Sequence, residues 1–380
     1  MTPQRLEQLT RLRQALHQIP EVSGAEEETA AMVAGYLRDF APDQLLTGLG
    51  GHGVAAVYNG LAAGPTVLIR CELDGLPIAE LSDQPYRSRH EGRGHLCGHD
   101  GHMAMVAGLA AELAARRPAR GRAVLLFQPA EETGKGAAAV LADPAFAQIV
   151  PDYAFALHNL PGLAVGKVGL CSGAANCASR GMRIRLTGRT SHAAAPRDGI
   201  SPAAAMAQLM TGLPGMGQGG DLDADFALVT LTHARLGEAT FGIAPGVGEV
   251  WVTLRTVTDA RMEQLVADAT ALARRACADH GLMLDIEFDD VFEACTNHPA
   301  AVQILQDACA EAGHPAQLGD LPQRWSEDFG QFARHAKSAM FWLGSGVTQP
   351  QLHNPDYDFP DAAIPVGTGI FLQTLRTLLG

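Results

Sequence analysis

The chain is short of positive charge and of long apolar runs, and each shortage narrows what it can be. Its 28 lysines and arginines face 41 aspartates and glutamates, a formal net charge of -13. A phosphate backbone is held by a basic surface, so no nucleic-acid partner is expected. No uninterrupted apolar stretch approaches the roughly 20 residues that span a bilayer, so no membrane partner is expected either. The first residues lack the pattern of a signal peptide: Leu6, Leu9, Leu12 and Leu16 recur at helical spacing among Gln and Arg, behind a Thr2-Pro3 start suited to a helix cap. Cysteine numbers seven, odd and scattered, which is no disulfide framework and points to a reducing cytoplasm. Internal repeats and low-complexity tracts are lacking as well.

What is present is a globular composition, 47% hydrophobic and 18% charged, spread over 380 residues. One hydrophobic core rarely fills that length, so two domains are expected. In the first half, apolar runs at Val67-Leu68-Ile69, Val124-Leu125-Leu126-Phe127 and Tyr153-Ala154-Phe155-Ala156-Leu157 alternate with helical patterns at 103–115 and 135–141. Strands alternating with helices predict an α/β domain around a mostly parallel sheet. From about residue 180 the order becomes strand, helix, strand, strand, helix, strand, as in a ferredoxin-like sandwich. The expected organisation is a catalytic domain of residues 1–179 and 290–380, with an inserted domain over 180–289.

The residues with metal chemistry cluster in two places. Cys97-Gly98-His99-Asp100-Gly101-His102 sets a thiol and imidazoles just ahead of the helix expected over 103–115, and Glu131-Glu132 follows a predicted strand. Thiolate, imidazole and carboxylate are donors for borderline divalent ions. Asp74, Glu131, Glu132 and His158 all fall just beyond or at strand ends, where open α/β sheets bind ligands. We read Cys97 and His99 as ligands, with Asp100 and His102 as partners that orient them. Of the glutamate pair, one carboxylate can bind metal while the other moves protons. His158 and His353, each taken alone, are ordinary structural histidines. His17, His52, His90, His280 and His335 are assigned no chemistry.

The ordered set Arg70-Cys71-Glu72-Leu73-Asp74-Gly75-Leu76-Pro77, CGHDGH, QPAEE, ALHNLP, GRTSHAAAP, Ser326-Glu327-Asp328-Phe329 and LHNPDYDF resembles the aminoacylase/carboxypeptidase family of dinuclear metallopeptidases. The nearest branch is that of the amidohydrolases acting on hippurate, N-acyl amino acids and indole-acetyl amino acids. The resemblance runs in order from the first helix to residue 370. It implies Cys97 as a bridge between two divalent ions (Zn, Mn, Co or Ni), with His99, Glu132, His158 and His353 completing the sites. It implies Glu131 as general base and proton shuttle, Asp74 behind the metal centre, and His192 as an oxyanion-stabilising histidine that in dimeric members reaches the partner's site. The inserted domain would be lid and dimerisation surface, and the substrate a small amide. The branch usually has Ala-Asp where Cys71-Glu72 stand, Ala for Gly75 and Asn for Gly242. Arg255 remains as an anionic clamp, whereas Gly242 has no side-chain donor, so the departures bear on substrate more than on reaction type. A dipeptidase of the same fold and a non-catalytic metal- or ligand-binding module are the alternatives.

Overall fold

The computed structural model describes residues 1–317 and 322–380. Among them, ten strands have six residues or more: β1 Gln44–Leu49, β2 Gly53–Asn59, β3 Thr66–Glu72, β4 Arg122–Gln128, β5 Tyr153–Pro161, β6 Ala178–Thr187, β7 Ala227–Leu236, β8 Val247–Thr256, β9 Met283–Phe292 and β10 Lys337–Gly346. The α-helices are α1 Pro3–His17, α2 Glu27–Arg38, α3 His99–Ala115, α4 Gly136–Ala142, α5 Ala203–Gly212, α6 Asp259–Asp279, α7 Pro299–Glu311 and α8 Ile364–Leu379. They form two compact units, one of Met1–Ala175, Thr296–Leu321 and Asp328–Gly380, the other of Asn176–Cys295 with Pro322–Glu327.

The larger unit is built on a sheet in the order β1-β2-β4-β3-β5-β10, extended by the two-residue strands Val168–Gly169 and Ala316–Gln317. Its centre, β4-β3-β5-β10, is parallel, and β1 and β2 add an antiparallel edge that the apolar pattern did not signal. Every residue of β3 is buried, the signature of an interior strand covered on both faces. Thr2 caps α1 and Leu9, Leu12 and Leu16 are buried, so the helix forms where the leucine spacing predicts. Residues 361–379 have a mean hydropathy of 1.2 and are long and apolar enough to cross a membrane. Here Ile364, Val366, Ile370, Phe371, Leu375 and Leu379 are buried in the unit's core, which α8 shares with α3 and α7.

The smaller unit has the chain order β6-α5-β7-β8-α6-β9 and an all-antiparallel sheet ordered β7-β8-β6-β9, the ferredoxin-like arrangement. Helix α6 is capped by Thr258, whose hydroxyl accepts from the Arg261 N–H at 3.2 Å. Its buried Met262, Leu265, Ala269, Ala273 and Ala276 follow helical spacing and seal one sheet face.

Candidate metal centre

The centre forms at the carboxyl ends of the parallel strands. Helix α3 starts at His99, four residues before the apolar pattern does, because Gly98 adopts a left-handed conformation (φ 90°) and acts as its N-cap. His99, Asp100 and His102 therefore occupy the first turn and leave it in different directions. His99 Nδ1 bonds the Asp74 main-chain oxygen at 2.8 Å, just past β3. Its Nε2 is buried with no hydrogen-bond partner among the described residues. Cys97 Sγ lies 3.5 Å from Nε2 of His158, on β5, whose Nδ1 bonds the Asn159 main-chain oxygen at 2.9 Å.

The glutamates follow β4 through a left-handed Ala130 (φ 52°), whose N–H bonds Glu26 at 2.8 Å. Glu131 Oε2 and Glu132 Oε1 each lie 3.9 Å from His99 Nε2. His353, itself left-handed (φ 66°), is held by an N–H bond to the Leu96 oxygen at 2.8 Å and sets Nε2 3.6 Å from Glu132 Oε2. Asp74 is fully buried and accepts from the Ser23 hydroxyl at 2.7 Å and the Glu132 N–H at 3.0 Å.

These spacings fit divalent ions. Two ligands about 2.0–2.3 Å from a common tetrahedral ion stand roughly 3.3–3.8 Å apart, close to the values above. Donor atoms of Cys97, His99 and His158 lie within 4.8 Å of one another, and so do those of Cys97, Glu132 and His353. Cys97 belongs to both groups. The unpartnered Nε2 of a wholly buried His99 is the second sign, since a buried polar atom without a partner is costly. Burial, reinforced by Glu132 and Glu131, pushes the Cys97 thiol well up, and burial beside His102 holds His158 well below its ordinary range. Burial opposes charge on His99, yet Asp74, Glu72 and Glu132 outweigh it and raise it to about 10. Asp74 is lowered, as its bonds to His99, Ser23 and the Glu132 N–H overcome its burial. A cation among these carboxylates is what the electrostatics ask for.

Asp100 and His102 part ways. His102 Nδ1 bonds Glu72 at 2.7 Å, and its Nε2 receives the Asn159 N–H at 3.2 Å. Asp100 instead faces away from the cluster, 2.8 Å from His17 Nδ1 and 3.4 Å from Arg13, in a buried ion-pair network with Asp358 and Asp361. It braces α3 from behind rather than touching a ligand ring. Asn159 and Tyr357 fall inside the ALHNLP and LHNPDYDF motifs, but the motif reading assigns them no role, because a contact between residues 198 apart has no local sign in the sequence.

His192 and Arg255 belong to the small unit. His192 is exposed on Ser191–His192, which pairs with Ile243–Ala244, and its Nδ1 accepts from the Ala194 N–H at 3.0 Å. Phe241 beside it is fully exposed, and the Gly242 oxygen accepts from the Ala193 N–H at 3.1 Å. Arg255 on β8 donates to the Arg324 oxygen at 3.0 Å and the Ser326 hydroxyl at 3.1 Å. Among the described residues it bonds no carboxylate, and burial lowers its pKa.

The family model for peptidase family M20/M25/M40 matches residues 68–377. The chain belongs to that family. It is a metal-dependent hydrolase of amide C–N bonds. It is 30% identical to a Bacillus subtilis N-acetyl-L-cysteine deacetylase, over 98% of this chain and 88% of the relative. It is 28% identical to an Anoxybacillus flavithermus N-acetyldiaminopimelate deacetylase, over 94% of this chain and 95% of that one. Among solved structures it resembles a Bacillus subtilis dinuclear metal-binding peptidase from the M20 family, with TM-score 0.84, 25% identity and 100% and 99% of the chains covered. A putative aminohydrolase from methicillin-resistant Staphylococcus aureus shares the fold with TM-score 0.88 at 24% identity, over 99% and 97%. The dinuclear centre of the first of these accords with the two donor groups that share Cys97.

Proposed function

We propose that the protein deacylates small N-acyl amino acids in the cytoplasm as a homodimer, with two divalent ions drawn from Zn, Mn, Co or Ni. Cys97 would be shared by the two, with His99 and His158 as further donors on one side and Glu132 and His353 on the other. The observation that carries this reading is the pair of donor groups meeting at Cys97, with Glu131 alongside. Relatives named as deacetylases of N-acetylated amino acids support the substrate class.

Bound ions would polarise the amide carbonyl and make a nearby water more acidic. The chain's residues supply the rest. Glu131 takes a proton from the attacking water, whose oxygen bonds to the acyl carbon, and returns it to the amide nitrogen as the C–N bond breaks. Asp74 holds the His99 ring and the Glu132 backbone in place. Arg255, with no carboxylate of its own, pairs with the substrate's carboxylate. His192 stabilises the oxyanion from the partner subunit. Phe241, fully exposed beside it, supports coverage of this ribbon by another chain.

Glu131→Gln tests the assignment, because it preserves shape and removes the base. Metal content by elemental analysis should stay at the parent's level while kcat on an N-acetyl amino acid falls by roughly 10²–10⁴-fold. A near-normal kcat would refute the role. Faster turnover of free dipeptides than of N-acetyl amino acids by the unmodified enzyme would overturn the substrate class.

A further inference from the structure

We propose that Asn159 is a positioning residue that sets Cys97 and His158 as a ligand pair, and that it is itself set by Tyr357 and by the Arg70–Glu72–His102 chain. This rests on the reading of Cys97 and His158 as ligands.

Asn159 is wholly buried, and its polar groups tie together four parts of the larger unit. Its Nδ2 donates to the Cys97 main-chain oxygen at 2.6 Å, and its own main-chain oxygen receives His158 Nδ1 at 2.9 Å. Its N–H donates to His102 Nε2 at 3.2 Å, and the Tyr357 hydroxyl donates to its Oδ1. One residue thus holds the backbone of one ligand and the ring of the other, whose donor atoms stand 3.5 Å apart.

The surrounding bonds remove the remaining freedom. A tyrosine hydroxyl that donates to Oδ1 decides which way the amide faces, leaving Nδ2 for Cys97. Because His102 Nε2 accepts the Asn159 N–H, His102 carries its proton on Nδ1 and donates it to Glu72 at 2.7 Å. Glu72 is paired in turn with Arg70, which also bonds Asp328 at 2.7 Å and Gln128 at 3.0 Å. The chain therefore ends on the rigid centre of the sheet. Gly98 shows how tightly the loop lies on this amide: a Cβ there would sit 2.7 Å from Asn159 Nδ2 and 2.9 Å from Oδ1. Groups that orient ligands in this manner commonly alter metal affinity by about 10–100-fold.

The experiment titrates metal-free protein with Co²⁺ against a competing chelator and follows the thiolate-to-cobalt absorption band, which reports Cys97 directly. Asn159→Ala should bind Co²⁺ at least tenfold more weakly, with the band shifted. Tyr357→Phe removes one hydroxyl, leaves the core filled and replaces no ligand, so it carries the test if Asn159→Ala fails to fold. It should weaken Co²⁺ at least threefold while the metal-free melting temperature stays within a few degrees. Affinity within twofold of the parent with an unmoved band, in Asn159→Ala or, should that not fold, in Tyr357→Phe, would overturn the proposal. Absence of the thiolate band in the unmodified protein would instead remove the ligand reading beneath it.

Discussion

Replacing Gly98 with alanine adds one methyl group at the hinge between Cys97 and His99, and its cost can be worked out in advance. The residue sits at φ 90°, where an L side chain crowds the following carbonyl at about 1–2 kcal/mol. The new methyl would lie 2.7 Å and 2.9 Å from the two polar atoms of the Asn159 amide. That amide cannot swing away without giving up its bonds to the Cys97 oxygen and to Tyr357. A buried polar group left without its partner costs roughly 1–3 kcal/mol. The sum is about 2–5 kcal/mol, a fall of the metal-free melting temperature on the order of 10 °C. Metal affinity should drop as well, because both flanking ligands move. The assay is thermal unfolding of metal-free protein beside a competitive metal titration. Gly35→Ala is the control, since a Cβ in that part of α2 meets nothing within 4 Å and should be neutral or gain up to about 1 kcal/mol. A Gly98→Ala protein melting within 2 °C of the parent and holding metal within about twofold would refute the reasoning, since it leaves neither the strain nor the clash.

The buried His17, raised to about 10 from 6.5 by Asp100 and Glu80 against the pull of burial, makes stability depend on pH. Its folded value is raised, so the contribution is complete below pH 6.5 and disappears as pH climbs through about 10. The metal-free protein should lose on the order of a few kcal/mol across that window, and His17→Gln should flatten the decline. An equal slope in both proteins, measured by denaturant titration from pH 6 to 10, would rule it out. For the dimer, mixing His192→Ala with Glu131→Gln under conditions that exchange subunits should restore part of the activity through hybrids. No recovery, with exchange demonstrated by mass spectrometry, would place the histidine's action within one chain.

How much could be read beforehand differs from element to element. Helix α6 was visible because its apolar residues recur at helical spacing, and the strands at Leu68, Leu125 and Phe155 because they are short continuous apolar runs, buried on both faces. Strand β1 was not, since half of Gln44–Leu49 is exposed and only Leu49 is buried. Nor was the start of α3, where the helix begins among polar residues set by the backbone of Gly98 rather than by any hydrophobic period. The membership of Pro322–Glu327 in the small unit has no local signal either, being a return of the chain from a distance.

By itself, then, the sequence determined the family, the α/β and ferredoxin-like element patterns and the kinds of donor available, because periodicity, strand-end placement and motif order are properties of the linear chain. It could not say that Asp100 turns toward Arg13 and His17 while its neighbour His102 turns toward Glu72, nor that Asn159 joins Cys97 to His158. Those choices belong to the tertiary structure alone. A buried polar group must find a partner, and the partners here lie 30 residues away for Glu72, 62 for Cys97 and 83 for His17.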